Sequence, residues 1–210
     1  MTYKIILLGP QGSGKGTQAQ ILSKKLNVPA LAMGQLLRDE VAAGSDVGLK
    51  VDGILKAGNL VSDEVAAEVL QARLSRPDAI NGYVLDGYPR NLKQYAAFTF
   101  DAPTHVIVIE VPREESLNRL GGRLTCSSCG AVASTKDGAK EGDACACGGA
   151  FVRRDDDTEA AIGRRLDIYD NDTTPMLGRF EEKGVLVRVD GVGTVEEVQE
   201  RIVDKLEMGN

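Results

Sequence analysis

A lysine at the end of a glycine-rich run, Gly9-Pro10-Gln11-Gly12-Ser13-Gly14-Lys15-Gly16-Thr17, is the strongest chemical signal in the chain. Glycines let the backbone turn tightly and aim several N–H groups at one point, a geometry that binds anions. Lys15 supplies a mobile cation for outer phosphates. Thr17 supplies a hydroxyl for a phosphate or a magnesium ion. Gly12, Ser13, Gly14, Lys15, Gly16 and Thr17 are therefore candidate phosphate-binding residues. The usual loop has Ser or Thr directly after the lysine; here Gly16 intervenes. A glycine-rich turn without a ligand is the plain alternative, and the flanks argue against it. Ile5-Ile6-Leu7-Leu8 reads as a strand before the loop. Ala19, Leu22 and Leu26 mark one face of a helix after it, whose N-terminal dipole points at the same spot.

The second signal is Gly82-Tyr83-Val84-Leu85-Asp86-Gly87-Tyr88-Pro89-Arg90. An apolar strand delivers an acid at its C-terminal end, where open α/β sheets bind ligands. Asp86 is placed to hold magnesium through water. Arg90 follows a Gly-x-Pro turn, and its planar fork suits a phosphate. Further arginines cluster at Arg119/Arg123, Arg153/Arg154 and Arg164/Arg165.

All four cysteines fall between 126 and 147. Cys126-Ser-Ser-Cys129-Gly130 has the spacing of a zinc half-site, two thiolates and then a glycine for a tight knuckle. After fifteen intervening residues comes Cys145-Ala146-Cys147-Gly148-Gly149, with one residue between the thiols and a tighter bite. The expected arrangement is a structural four-cysteine zinc site. Four free thiols, or three cysteines with Asp143, are the alternatives. A catalytic zinc is not expected, because four thiolates leave no open position.

The chain has 210 residues and a net charge of -6, and aromatic residues make up 4%. One good core with small insertions fits that length. An acidic, aromatic-poor chain is not expected to bind nucleic acid or a membrane surface. Local arginine clusters on an acidic protein point instead to a small polyanion in a cleft. Met1-Thr2-Tyr3-Lys4 runs straight into a strand, so no signal peptide is expected, and no apolar run reaches membrane-spanning length. Clustered thiols fit a reducing compartment, and a cytoplasmic location is expected.

These residues need elements to position them. Strands are expected at 3–8, 28–32, 83–85, 104–111 and 185–189. Helices are expected at 15–26, across 34–56 with a break at Ala43-Gly44-Ser45-Asp46, from Ser62 to Leu74, and at 113–120. A further helix carries Ile162, Leu166, Tyr169, Thr173, Met176 and Phe180, with Pro175 expected to bend it. A last helix carries Val195, Val198, Ile202 and Leu206. Residues 121–152 hold too few large apolar groups for a core and read as an insertion. Asp155-Asp156-Asp157 reads as a solvated helix start, Arg153 and Arg164 as solvated, and His105 as structural. Strands alternating with helices predict an α/β fold: a parallel five-stranded sheet covered on both sides.

With these motifs in this order, the whole chain resembles an adenylate kinase of the long-lid type, within the nucleoside monophosphate kinases. The matching pieces are Gly9–Thr17, Gly34-Gln35-Leu36-Leu37-Arg38, Gly58-Asn59-Leu60-Val61, Asp86–Arg90, Gln94, Arg119, Gly122-Arg123, the cysteine insert, Arg154-Asp155-Asp156-Asp157, Arg165 and Val189-Asp190-Gly191. Gly-Lys-Gly-Thr is that family's form of the loop. The resemblance implies the three-layer P-loop kinase fold and the reaction ATP + AMP ⇌ 2 ADP with Mg²⁺. It implies a core (1–31, 62–121, 156–210), a helical AMP-binding hairpin (32–61) and a cysteine-bearing lid (122–155). By resemblance, the phosphate loop with Arg119, Arg123 and Gly193 takes ATP. Met33, Arg38, Gly58, Leu60, Val61, Gly87, Arg90, Gln94, Arg154 and Arg165 take AMP. Lys15, Asp86, Arg90, Arg123, Arg154 and Arg165 are the implied catalytic set, Arg119 stacks on the ATP adenine, and Cys126, Cys129, Cys145 and Cys147 hold zinc. A monomer is implied, with ATP, AMP and ADP as its partners.

Two positions depart from the family. Met33-Gly34-Gln35 stands where Thr-Gly-Asp is usual, which bears on adenine selectivity. Gln11 replaces a common proline-containing form of the loop, with little expected effect. The nearest alternative is a pyrimidine monophosphate kinase of the same fold. Gln94 argues against it, since an amide offers both a donor and an acceptor to adenine's N1 and N6 edge, and so does the cysteine lid. A non-catalytic nucleotide switch or a zinc-ribbon nucleic-acid module is the alternative of another class. A switch needs no second arginine pocket at Arg38 and Arg90, and the acidic net charge and low aromatic fraction disfavour the nucleic-acid module.

Overall fold

Four of the residues in strand β1 (Tyr3–Leu8), Ile5 to Leu8, are buried, and alternate ones face opposite ways. Ile5 and Leu7 pack with Ala19 and Leu22 of helix α1 (Lys15–Leu26) and with Val198 and Ile202 of the last helix. Ile6 and Leu8 pack with Leu70, Met176, Leu177 and Phe180 on the other face. A parallel strand covered on both sides must be apolar throughout, which is why this run does not alternate with polar residues. The computed structural model describes residues 2–207; the outermost ends of the core expected over 1–31 and 156–210 lie outside them.

The chain continues through β2 (Ala30–Ala32), α2 (Met33–Ala43), α3 (Asp46–Lys56), α4 (Asp63–Leu74), β3 (Gly82–Asp86), α5 (Leu92–Ala97), β4 (His105–Glu110) and α6 (Arg113–Gly121). A small antiparallel sheet follows, β5 (Arg123–Cys126), β6 (Val132–Ser134) and β7 (Phe151–Val152), with β5 in the middle. Then come α7 (Glu159–Ile168), one π-helical turn (Tyr169–Thr173), α8 (Thr174–Glu182), β8 (Leu186–Asp190) and α9 (Val195–Glu207). The main sheet has five parallel strands in the order β2-β3-β1-β4-β8. All five C-terminal ends therefore lie on one edge, with Leu7 opposite Asp86 and Ala32 beside it. This is the three-layer α/β fold expected. Among the described residues, no helix is long and apolar enough to cross a membrane.

The break between α2 and α3 has a local cause. The Ser45 hydroxyl caps α3 by accepting from the Gly48 N–H at 3.0 Å. A β-carbon at Gly48 would run into the Glu40 carbonyl, so only glycine lets the two helices approach this closely. The strand expected over 28–32 is shorter, because the chain is still closing the C-cap of α1, where Asn27 has φ 54° and the Val28 N–H bonds back to Ser23.

Two features correct the sequence reading. Helix α5 was not expected; it is only six residues long and is set by Asn91, whose Oδ1 accepts from the Gln94 N–H at 2.7 Å. The disturbed hydrogen bonding expected at Pro175 lies instead in the π turn just before it, where the Thr174 N–H bonds to the Tyr169 carbonyl. Pro175 follows that turn directly, as the second residue of α8.

Candidate active site

At the sheet edge, the phosphate loop leaves β1 through Gly9, whose φ is 142° and whose β-carbon would meet the Ile109 carbonyl. Gly12, φ 86°, lies under α6: a β-carbon there would come within 2.9 Å of the Ser116 carbonyl. Gly14 caps α1 in the left-handed conformation with no side-chain cap, so the loop ends with the first-turn N–H groups of α1 turned outward. The buried Lys15 ammonium donates to the Gly9 carbonyl at 2.8 Å, the Pro10 carbonyl at 2.7 Å and the Ser13 hydroxyl at 3.3 Å. Burial, aided by the neighbouring Arg90 and Arg123 charges and opposed by Asp86, brings its pKa down to about 8. Thr17 is half-buried one turn on, and Asp86 faces Gly16, its Oδ2 3.5 Å from where a β-carbon would stand. Gly16 is therefore not demanded by crowding.

Arg90 is held at three points. Its Nε donates to the Gly87 carbonyl at 2.7 Å, its N–H donates to Gln94 Oε1 at 2.8 Å, and its carbonyl accepts from the Thr173 hydroxyl at 2.7 Å. Gly87, φ 78°, must be glycine for this fold-back, since a β-carbon would lie 2.9 Å from Arg90 Nη2. Arg38, on α2, is oriented by Gln35 Oε1, which accepts from its Nη2 at 2.8 Å. Burial and the nearby Arg154 charge bring Arg38 down to about 10. Arg119 is pinned between three groups: Glu115 at 2.6 Å, the Gly191 carbonyl at 3.0 Å and the Gly12 carbonyl at 3.5 Å. It thus spans the phosphate loop and the β8–α9 turn that contains Gly193.

The acids at 156 and 157 differ from the expectation of a solvated helix start. Asp157 is buried and takes the Arg123 fork on both oxygens. Asp156 is half-buried and takes the Arg154 fork, and Arg165 lies 3.1 Å from it. Burial works against ionisation of Asp156, but Arg154, Arg165 and Arg38 hold its pKa below the usual carboxylate range. Arg165 is itself buried, which brings it down to about 10, and its Nε and Nη1 have no partner among the described residues. Arg153 and Arg164 are exposed, as expected. Burial also lowers the Arg90 pKa. Lys15, Arg38, Arg90, Arg123, Arg154 and Arg165 therefore share one region with Asp86, Asp156 and Asp157 as counter-charges.

A cleft at this edge is lined by Gly9, Lys15, Leu60, Arg90, Arg165 and Thr173, among others. Gly58 is packed on Ala161 of α7, which seats the end of the hairpin beside the cleft. Val61 and Met33 are buried in the core cluster, and Met33 does not line the cleft. Gln94 is buried with Oε1 committed to Arg90. Residues the sequence reading missed are Gln35, Glu115, Asp156, Asp157 and Thr173. Helical spacing was a signal for the first two, since each lies three or four positions from the arginine it serves.

In the small sheet, the four cysteine sulfurs lie within 4.8 Å of one another. Cys126 and Cys147 are 3.4 Å apart, and Cys129 and Cys145 3.7 Å. Backbone N–H groups of Cys129 and Ser128 bring the Cys126 thiol down to about 6. The Ala131 N–H favours a thiolate at Cys129, but Cys147 and Cys126 outweigh it and push this thiol up to about 12. Neighbouring thiols resist joint ionisation unless a cation joins them. Gly149 lets the knuckles meet, because a β-carbon there would crowd Cys126 Sγ at 2.8 Å.

A parallel sheet, a lysine-bearing phosphate loop and a second arginine pocket at the same edge define a phosphate-loop nucleotide kinase. The family model described as "Adenylate kinase" matches residues 7–185. An adenylate kinase of Streptomyces avermitilis is 38% identical over 97% of this chain and 96% of its own length. Those of Syntrophobacter fumaroxidans (41%; 94% and 97%) and Syntrophotalea carbinolica (39%; 98% and 99%) are similarly close. The chain belongs to the adenylate kinase family, and the reaction expected from its sequence, phosphoryl transfer between ATP and AMP, is the activity of that family.

The lowered Lys15 pKa has a measurable consequence. Between about pH 8 and its ordinary value the free ammonium is largely neutral, and bound phosphates favour the charged form. ATP binding at pH 8.5 is expected to take up protons, seen by calorimetry in buffers of different ionisation enthalpy. Affinity is expected to fall up to about tenfold per pH unit above that point. A Lys15→Gln variant showing the same uptake would assign the protons elsewhere.

Proposed function

We propose that the chain carries out ATP + AMP ⇌ 2 ADP with the residues of this cleft divided between donor and acceptor. The convergence of Lys15, Arg38, Arg90, Arg123, Arg154 and Arg165 at one sheet edge is the observation that carries the assignment. Phosphoryl transfer leaves little covalent work to a protein, so positioning and charge neutralisation dominate. The loop N–H groups from Gly12 to Thr17 and Lys15 cradle the ATP phosphates. Arg119, held beside the β8–α9 turn, takes the adenine, with Gly193 in that turn. Arg38 and Arg90 hold the AMP phosphate, and Gly58, Leu60, Val61 and Gly87 shape its pocket. Gln94 gives its remaining amide capacity to the base, and Met33 supports the pocket from the core. Arg123, Arg154 and Arg165 surround the phosphoryl group in transfer.

No general base is required, because the acceptor phosphate is already anionic. Water is the hazard. Segment 122–155 acts as a lid over the core, bringing Arg123 and Arg154 as it closes and expelling solvent. Asp156 and Asp157 hold these arginines in position, and phosphate oxygens compete for the same forks. Asp86 and Thr17 face the phosphate site with hard oxygen donors that suit Mg²⁺. When bound with ATP, Mg²⁺ neutralises developing charge on the phosphates.

Four thiols whose sulfurs lie 3.4 to 4.8 Å apart suit a tetrahedral zinc, whose Zn–S bonds place sulfurs roughly 3.8 Å from one another. Such a structural zinc stabilises a lid that buries few large apolar side chains. Clustered thiols suit a reducing compartment and support a cytoplasmic location, and a monomer is the proposed state.

Three measurements test the reading. Initial rates with ATP-Mg²⁺ and a panel of AMP, CMP, UMP and GMP should be fastest with AMP; faster turnover of CMP or UMP would make this a pyrimidine kinase. Replacing Arg90 by Ala should lower transfer by about a hundredfold or more while leaving ATP binding largely intact. A nucleotide switch would have no transfer to lose. Metal analysis should find one zinc per chain, and less than half an equivalent with four titratable thiols contradicts the zinc site.

A further inference from the structure

Arg90 is useful only if its guanidinium fork stands still. Its Nε is spent on the Gly87 carbonyl, leaving the two Nη groups to face the acceptor. Its backbone N–H is taken by Gln94, which belongs to α5 directly after it. Its carbonyl is taken by the Thr173 hydroxyl, 83 residues away in sequence, at 2.7 Å. Thr173 is 4% exposed and lines the same cleft as Lys15, Arg90 and Arg165.

Thr173 reaches that carbonyl because of the π turn. The Thr174 N–H bonds to the Tyr169 carbonyl five residues back, and the Thr174 hydroxyl reaches the same oxygen at 3.1 Å. A wider turn changes the phase of every side chain beyond it, which is how single π turns re-aim residues at functional sites. The same continuous rod carries Arg165 on α7, so one element bears an arginine proposed for the transferring group and the anchor of the acceptor arginine.

We infer that Thr173 is a positioning residue for the acceptor-side arginine, acting through the Arg90 carbonyl and delivered there by the π turn. This rests on the kinase reading above. Removing the hydroxyl leaves a carbonyl without its partner and frees the turn that carries Arg90.

The test compares Thr173→Val, which keeps the shape and removes the donor, with Thr173→Ser, which keeps the donor. Kinetics are measured with AMP varied at saturating ATP and with ATP varied at saturating AMP. In Thr173→Val, kcat/KM for AMP should fall between about tenfold and a hundredfold, with KM for ATP within about twofold of wild type. Thr173→Ser should recover most of the loss. In an Arg90→Ala background, Thr173→Val should weaken AMP binding, measured by calorimetry, no further. Equal losses toward both nucleotides, no loss at all, or a serine variant as poor as valine would overturn the proposal. If Thr173→Val does not fold, Thr173→Ala is read against Thr173→Ser by the same criteria. Wild-type protein that transfers nothing to AMP would instead overturn the kinase reading itself.

Discussion

Six like charges crowded at one edge of a sheet repel one another, and the rest of the site is arranged around that repulsion. Removing cations from water is costly, and the lowered pKa values of Lys15, Arg38 and Arg165 record the cost. Asp86, Asp156 and Asp157, with Asp39 near Arg38, offset part of it, and the cations remain in excess. The remaining positive charge makes the cleft a good site for a polyanion such as a nucleotide phosphate.

Rigidity comes from main-chain crowding. Gly9 against β4, Gly12 against α6 and Gly58 against α7 are each points where a β-carbon would strike backbone. The phosphate loop is thus pressed between the strand behind it and the helix α6 that leads to β5. Because α6 runs directly from that contact to Arg123, the segment proposed as a lid is joined to an element already touching the loop.

Parts of this were legible in the chain because their causes are local. β1 and β4 could be read because both faces are buried, which leaves unbroken apolar runs. The α2–α3 break could be read because Gly44 and Ser45 set it within a few residues. Helix α5 was not, because six residues are too few to show a period. Asp156 and Asp157 were misread as solvated because three adjacent acids normally are. Asp157 is buried under Arg123 and Arg165, and Asp156 is half-buried under Arg154 and Arg165, and no pattern within the triplet records that. Pro175 drew the expected bend to itself, while the altered hydrogen bonding lies in the turn before it.

The sequence alone determined what depends on neighbouring residues: where φ must be positive, which runs must be buried, and which thiols are close enough to chelate. That was enough for a phosphate loop, a parallel sheet, two cysteine knuckles and a family. Tertiary structure decided the partners of the charges, because these bonds join distant residues: Asp157 to Arg123 over 34 positions and Thr173 to Arg90 over 83. It also paired Cys126 with Cys147 and Cys129 with Cys145. Spacing announces a ligand set, but which charge neutralises which is settled only when the chain has brought them out of water together.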